Sequence, residues 1–150
     1  MTGMQSLKRQ EGVGLIEVLV TVMILATSLL AMGALQSRSL AFNHSAYLRS
    51  QANVLAYDVL DRIRINRENV DDYDGLAFDD EAPNGNALAA QDMRAWLAQA
   101  ARLLPGGDGE IECDNNLCTV RLRWIETDEP EEGEPAGEPS YTVFTYSSRV

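Results

Sequence analysis

One stretch constrains this chain more than any other: Gly12 to Leu35, GVGLIEVLVTVMILATSLLAMGAL. It holds a single charge, Glu17, near its start, and the next charged residue is Arg38. From Val18 to Ser37 run twenty uncharged, mostly apolar residues, the length a helix needs to cross a bilayer core of about 30 Å. Ionisable groups at the front of a membrane helix are costly and are found there with a function and a partner. Whatever this chain does must therefore account for Glu17.

With 35 of 150 residues committed to that segment and its leader, what remains suffices for one small domain. The formal charge of −11 argues against a nucleic-acid partner, which requires a basic face. Lys8, the only lysine, and Arg9 precede the apolar run. The short N-terminus should stay in the cytoplasm and the C-terminal part be exported. A cleavable signal peptide is the rival, with small-x-small sites at Ala26-Thr27-Ser28 and Ala31-Met32-Gly33. Its apolar region is much shorter than this one and would have to contain Glu17.

Residues 1–12, MTGMQSLKRQEG, are polar and basic, and Gly12 abuts the apolar run directly. A protease cutting here would leave the hydrophobic segment on the mature protein. The leader, Gly12 and the following VGLIEVLV resemble the class III signal of type IV prepilins and of type II secretion pseudopilins. That resemblance implies cleavage by prepilin peptidase between Gly12 and Val13, with N-methylation of the new Val13 amine. Val13 stands where phenylalanine is commonest in the family, and Gly14 where serine or threonine is common.

Cleavage after Gly12 would create a cationic amine at Val13, and Glu17 lies one turn deeper. In an apolar setting an unpaired carboxylate is strongly disfavoured, whereas a well-formed ion pair is tolerated. Glu17 can thus set the register between neighbouring helices by pairing with its own or a neighbour's amine. The plainer alternative is a carboxylate favoured by the helix dipole and snorkelling to the interface.

Helical patterning continues beyond the membrane segment. Leu48, Ala52, Leu55, Val59 and Ile63 form one apolar stripe, flanked by charges, as in an amphipathic helix. No proline occurs before Pro83, so nothing forces a break. One helix over 13–66 would be about 80 Å long. Its membrane or filament-core half is 13–37 and its outer, amphipathic half 38–66. The stretches SQANVLAYDVLDRIRINREN and GALQSRSLAF resemble the V-type minor pilins, the type IV pilus modification proteins. The resemblance covers roughly the first 70 residues.

Residues 67–150 read as the head. NRENVDDYDGLAFDDEAPNGN (66–86) is a polar loop with an Asn84-Gly85 turn signal. Asp72, Asp74, Gly75 and Glu81 match part of a calcium-loop template, but its first position is Val70, which supplies no ligand. A solvated acidic loop without metal is expected. A second helix follows over 87–104, with Leu88, Met93, Trp96, Leu97, Ala100 and Leu104 as its apolar face, ended by Pro105-Gly106-Gly107.

Two-residue periodicity then predicts a hairpin over 110–125. If Asn115-Asn116 is the turn, Cys113 faces Cys118 across the strands, at a separation a disulfide spans; an exported domain favours that bridge. Residues 126–139 carry seven acids and read as a solvated acidic loop. Strand character returns over 140–147, pairing antiparallel with the second hairpin strand. These elements predict an α+β chain, and the resemblance implies a type IV pilin-like arrangement of them: a long N-terminal helix packed on a small antiparallel sheet, with a second short helix.

No nucleophile with a base, metal-ligand cluster or phosphate-cradling loop stands out, and the single His44 reads as a surface residue. No catalytic, metal-binding or cofactor-binding residue is expected. The resemblance implies a structural or priming subunit of a type IV pilus. Its partners would be other minor pilins, the major pilin, a tip adhesin, prepilin peptidase and the inner membrane, before relocation to the pilus at the cell surface. Pilus assembly, twitching motility and attachment would be the processes served. A type II secretion pseudopilin is the alternative, and a membrane-anchored periplasmic protein of other function a more distant one.

Overall fold

The computed structural model describes residues 14–127 and 140–150. Gly12, Val13 and the basic leader lie outside the described residues, as does the acidic segment from 128 to 139. The elements in chain order are helix α1 (Leu15–Ile65), a 3-10 segment (Arg67–Tyr73), helix α2 (Leu88–Leu103), and strands β1 (Asp108–Asp114), β2 (Leu117–Thr127) and β3 (Ser140–Arg149). The chain divides into two units, 1–42 and 43–150, and α1 contributes to both.

In the first unit α1 presents apolar side chains without covering them: Leu15, Ile16, Leu19 and Leu30 are all more than 60% exposed. No proline or paired glycines interrupt the helix here, and its Leu, Ala and Met residues are strong helix formers set among β-branched Val, Ile and Thr. The helix is long and apolar enough to cross a membrane.

In the second unit the same helix is amphipathic. Leu48, Ala52, Leu55, Ala56, Val59, Leu60 and Ile63 are buried, the stripe expected from spacing plus its two flanking positions. They meet the inner face of a three-stranded antiparallel sheet, order β1-β2-β3, through Ile111, Cys118, Val120, Leu122 and Trp124. The β1–β2 hairpin turns on Asn115 and Asn116, with φ of 47° and 65°, the left-handed pair that a two-residue type I′ turn demands. That turn sets the register Ile111↔Val120 and Cys113↔Cys118, which places every second residue of both strands on the core side.

Helix α2 closes the other side of the core with Ala89, Ala90, Met93, Trp96 and Ala100. Leu88, expected on this face, is 53% exposed, because it opens the helix and Ala89 and Ala90 take the inward positions. Gly109 lets β1 approach α2 closely: a Cβ there would lie 2.3 Å from Trp96 Cη2. The Trp96 indole N–H donates to the Leu55 carbonyl at 3.0 Å, so the tryptophan ties α2 to α1 while packing under β1.

Three local expectations change. Residues 66–86 are not uniformly a solvated loop. A 3-10 segment occupies Arg67–Tyr73, Tyr73 and Leu76 are buried, and Leu76 bridges to Ile111. These two apolar anchors sit among polar neighbours with no periodicity to reveal them. Glu126 and Thr127 belong to β2 rather than to the acidic loop, because β3 pairs back as far as Thr127↔Ser140. At the other end β3 runs on to Arg149, opposite Leu117.

Candidate functional site

The exposed apolar part of α1 is the feature of this molecule that most needs a function. None of its most apolar stretch is buried, and a surface of that extent marks a membrane or protein contact. The hydroxyls of Thr21, Thr27 and Ser28 are turned inward onto the helix. The Thr21 hydroxyl donates to the Val18 carbonyl at 2.8 Å, Thr27 to Met23 and Ile24 at 3.0 Å, and Ser28 to Ile24 at 2.8 Å. Hydroxyls satisfied in this way need no water, as a hydrocarbon environment requires.

Glu17 sits in the first turn of α1, where the exposed backbone N–H groups and the helix dipole favour a negative charge. The Gly14 carbonyl accepts the Glu17 and Val18 amides at 2.9 and 3.3 Å. No side-chain ion pair joins Glu17 among the described residues, and the expected partner, the amine at Val13, lies outside them. Gly12, the last residue of the expected leader, and Val13, the first after the expected cut, both precede this turn in sequence and lie outside the described residues.

In the head, Cys113 and Cys118 form a disulfide, with Cα atoms 4.1 Å apart. Cys118 is fully buried and Cys113 partly so. The bridge closes the hairpin end of the sheet on its core side, as the register expected from the sequence places it.

The head's polar groups are arranged for structure. Arg62 on α1 pairs with Asp58 at 3.0 Å and Asp92 of α2 at 3.2 Å. Asp92 also accepts the Tyr73 hydroxyl at 2.8 Å, and Tyr73 accepts from Asn66 at 3.2 Å. Burial, reinforced by Asp92, pushes the Tyr73 phenol up to about 12. Burial alone would lower Arg62, but its two carboxylate partners outweigh that and raise it. On the outer sheet face Arg123 pairs with Asp79 and Asp108 and lies 4.6 and 4.7 Å from the ring centroids of Phe78 and Tyr141. It thereby clamps the 76–80 segment to the sheet. Hydrogen bonds from Ser45 and Thr142, with Arg49 and His44 nearby, hold the Glu126 carboxyl below its ordinary range. His44 itself is exposed and touches no nucleophile constellation.

Asp72, Asp74, Gly75 and Glu81 of the partial calcium template line a shallow cavity of about 370 Å³, together with Asp80. Two of the cavity's carboxylates are engaged locally: Asp74 accepts the Cys113 amide at 2.8 Å and Asp80 the Ala77 amide at 2.9 Å. Among the described residues no group of His, Cys, Asp or Glu is placed to hold a metal.

The head's second short helix and three-stranded sheet, together with the long N-terminal helix, define an α+β protein that is pilin-like in layout. Compared with models of known families, with curated proteins and with solved structures, the chain matches none.

Proposed function

We propose that this chain is a minor pilin, a non-enzymatic subunit that enters or primes a type IV pilus by helix packing. The observation that carries the reading is α1 itself. One uninterrupted helix from Leu15 to Ile65 leaves its apolar first part uncovered and builds its last part into the core of a small head. Before assembly the apolar part anchors the subunit in the inner membrane, with the head in the periplasm, where the Cys113–Cys118 bridge is stable. On assembly the same surface moves from lipid to the helices of neighbouring subunits. Glu17 then pairs with the amine exposed when prepilin peptidase cuts between Gly12 and Val13, its own or a neighbour's.

By the same reading the partners are other minor pilins, the major pilin and a tip adhesin, in a complex that initiates the filament for motility and attachment. The leader and Glu17 are equally those of a type II secretion pseudopilin. The LAYDVLDRIRINR stretch favours the pilus subunit.

Co-expression with prepilin peptidase should shorten the protein by its twelve leader residues and leave Val13 at the N-terminus. A mature N-terminus near residue 29 or 34 would instead establish a cleaved signal peptide and end the pilin reading. Glu17→Ala should leave cleavage and membrane insertion intact but reduce piliation and co-purification of other pilins. Restoration of secretion rather than piliation in complementation would assign the chain to the pseudopilins.

A further inference from the structure

Tyr57 on the outer half of α1 and Tyr146 on β3 lie 89 residues apart in sequence and meet at the rim of the head. The Tyr146 hydroxyl donates to the Tyr57 hydroxyl at 2.9 Å. The two ring centroids are 4.8 Å apart, with the planes inclined at 47°. In a phenol the ortho carbons flank the carbon that bears the hydroxyl, so rings and hydroxyls this close bring the two ortho edges alongside one another. Neighbouring contacts hold the elements in place. Phe144 and Tyr146 pack against the core that α1 helps to build. Arg64, about two turns further along α1, pairs with Asp61 at 2.6 Å and donates to the Ser148 hydroxyl of β3 at 2.7 Å.

Solvent reaches this pair: Tyr57 is 43% exposed and Tyr146 half-buried. The other three of the five tyrosines are placed differently. Tyr73 is buried, with its hydroxyl on Asp92. Tyr141 lies against the Arg123 guanidinium, and Tyr47 has no aromatic partner among the described residues. Nor does a thiol stand by to intercept a radical, since Cys113 and Cys118 are bonded to each other and no other cysteine is present.

We propose that Tyr57 and Tyr146 form an oxidative modification site, at which a peroxide acting by one-electron steps joins them into a dityrosine that ties β3 covalently to α1. Each phenol gives up one electron and its hydroxyl proton, and the unpaired spin of each phenoxyl spreads onto its ortho carbons. One ortho carbon of each ring then joins the other in a new carbon–carbon bond. The two ortho hydrogens pass as protons to the phenolic oxygens, restoring both aromatic rings. The peroxide takes up the two electrons and two protons, its oxygen–oxygen bond breaks, and it leaves as two waters. Because both rings are held in contact, coupling within one chain outruns coupling between chains. The inference does not depend on the pilin reading.

The test exposes the full chain in detergent micelles to hydrogen peroxide and a haem peroxidase, under conditions that couple free tyrosine, over a series of protein concentrations. The single chain should lose two hydrogens and gain biphenol fluorescence, to the same extent at every concentration. Mass spectrometry of a digest should find the peptide bearing Tyr57 joined to that bearing Tyr146. Tyr57→Phe and Tyr146→Phe keep the rings and remove only the hydroxyls, and each should slow this crosslink at least about tenfold, whereas Tyr47→Phe should not. Peptide mapping of the parent decides the matter if either variant fails to fold. The crosslinked chain should also unfold at a higher urea midpoint than untreated protein, because the tie closes a long loop in the unfolded state. A chain that keeps all its hydrogens overturns the proposal. So do crosslinks that form chiefly between copies or through Tyr47 or Tyr141, and a crosslink that persists in Tyr146→Phe. An unchanged urea midpoint in the crosslinked chain overturns the tie between β3 and α1.

Discussion

Replacing Gly109 by alanine tests whether the head is built around the Trp96 contact. The added Cβ would stand 2.3, 2.5 and 3.2 Å from Trp96 Cη2, Cζ3 and Cζ2, against an optimal carbon–carbon separation of about 3.5–4.0 Å. Between one and two ångströms must be recovered. Either β1 retreats from the core, disturbing the Gly109↔Leu122 pairing, or the indole tilts and loses its 3.0 Å bond to the Leu55 carbonyl. Overpacking of this kind costs about 1–3 kcal/mol, and a buried donor left unpaired about 1–3 kcal/mol more. The expected loss is thus about 1–3 kcal/mol if β1 retreats and about 2–6 kcal/mol if the indole tilts. Urea unfolding in micelles, followed by tryptophan fluorescence, suits the measurement, since Trp96 and Trp124 are both fully buried. Trp96→Leu in the Gly109→Ala background removes the atoms in conflict. The double-mutant cycle should then show favourable coupling of at least about 1 kcal/mol. A Gly109→Ala protein within about 0.5 kcal/mol of the parent, the range of a neutral surface change, would refute the close-approach reasoning.

Other consequences concern the bridge and two titrating groups. Cys113→Ser with Cys118→Ser should cost about 2 kcal/mol by the loop-entropy relation, read as a lower urea midpoint with unchanged slope; reducing agent should reproduce it in the parent. Glu126 is held below the ordinary 4.5 of a glutamate. Its stabilisation is therefore present above that pH and is lost as pH falls below it through the folded value, and Glu126→Gln should flatten this acid limb. Tyr73 is raised from 10.0 to about 12. Its stabilisation is complete below pH 10 and is lost as pH rises towards 12, with an upper limit of about 2–3 kcal/mol. Tyr73→Phe should remove that alkaline loss, and an unchanged pH–stability curve would detach Tyr73 from the Asp92 network.

Much of this architecture was legible because it is periodic. The stripe Leu48–Ile63 and the alternation through Ile111, Val120 and Trp124 each repeat at the period of their own element, so the buried face follows from spacing alone. The asparagine pair at the hairpin turn has a local backbone preference, and it fixes Cys113 opposite Cys118. Tyr73, Leu76 and Glu126 were hidden for the opposite reason. Each is a single residue in a polar stretch, and only its distant partners, Asp92, Ile111 and Ser45, give it a role.

By itself, then, the sequence determined a long apolar helix with an acid in its first turn, an amphipathic continuation and a disulfide-closed hairpin. These rest on composition, period and local turn chemistry, all carried by neighbours along the chain. The tertiary structure alone decided that the β1 edge is covered by the 74–79 segment, while β3 pairs only with β2 among the described residues. It also decided that Gly109 must lack a side chain so that Trp96 can join both helices. Such relations are contacts between residues far apart in sequence, and no local pattern encodes which of them will meet.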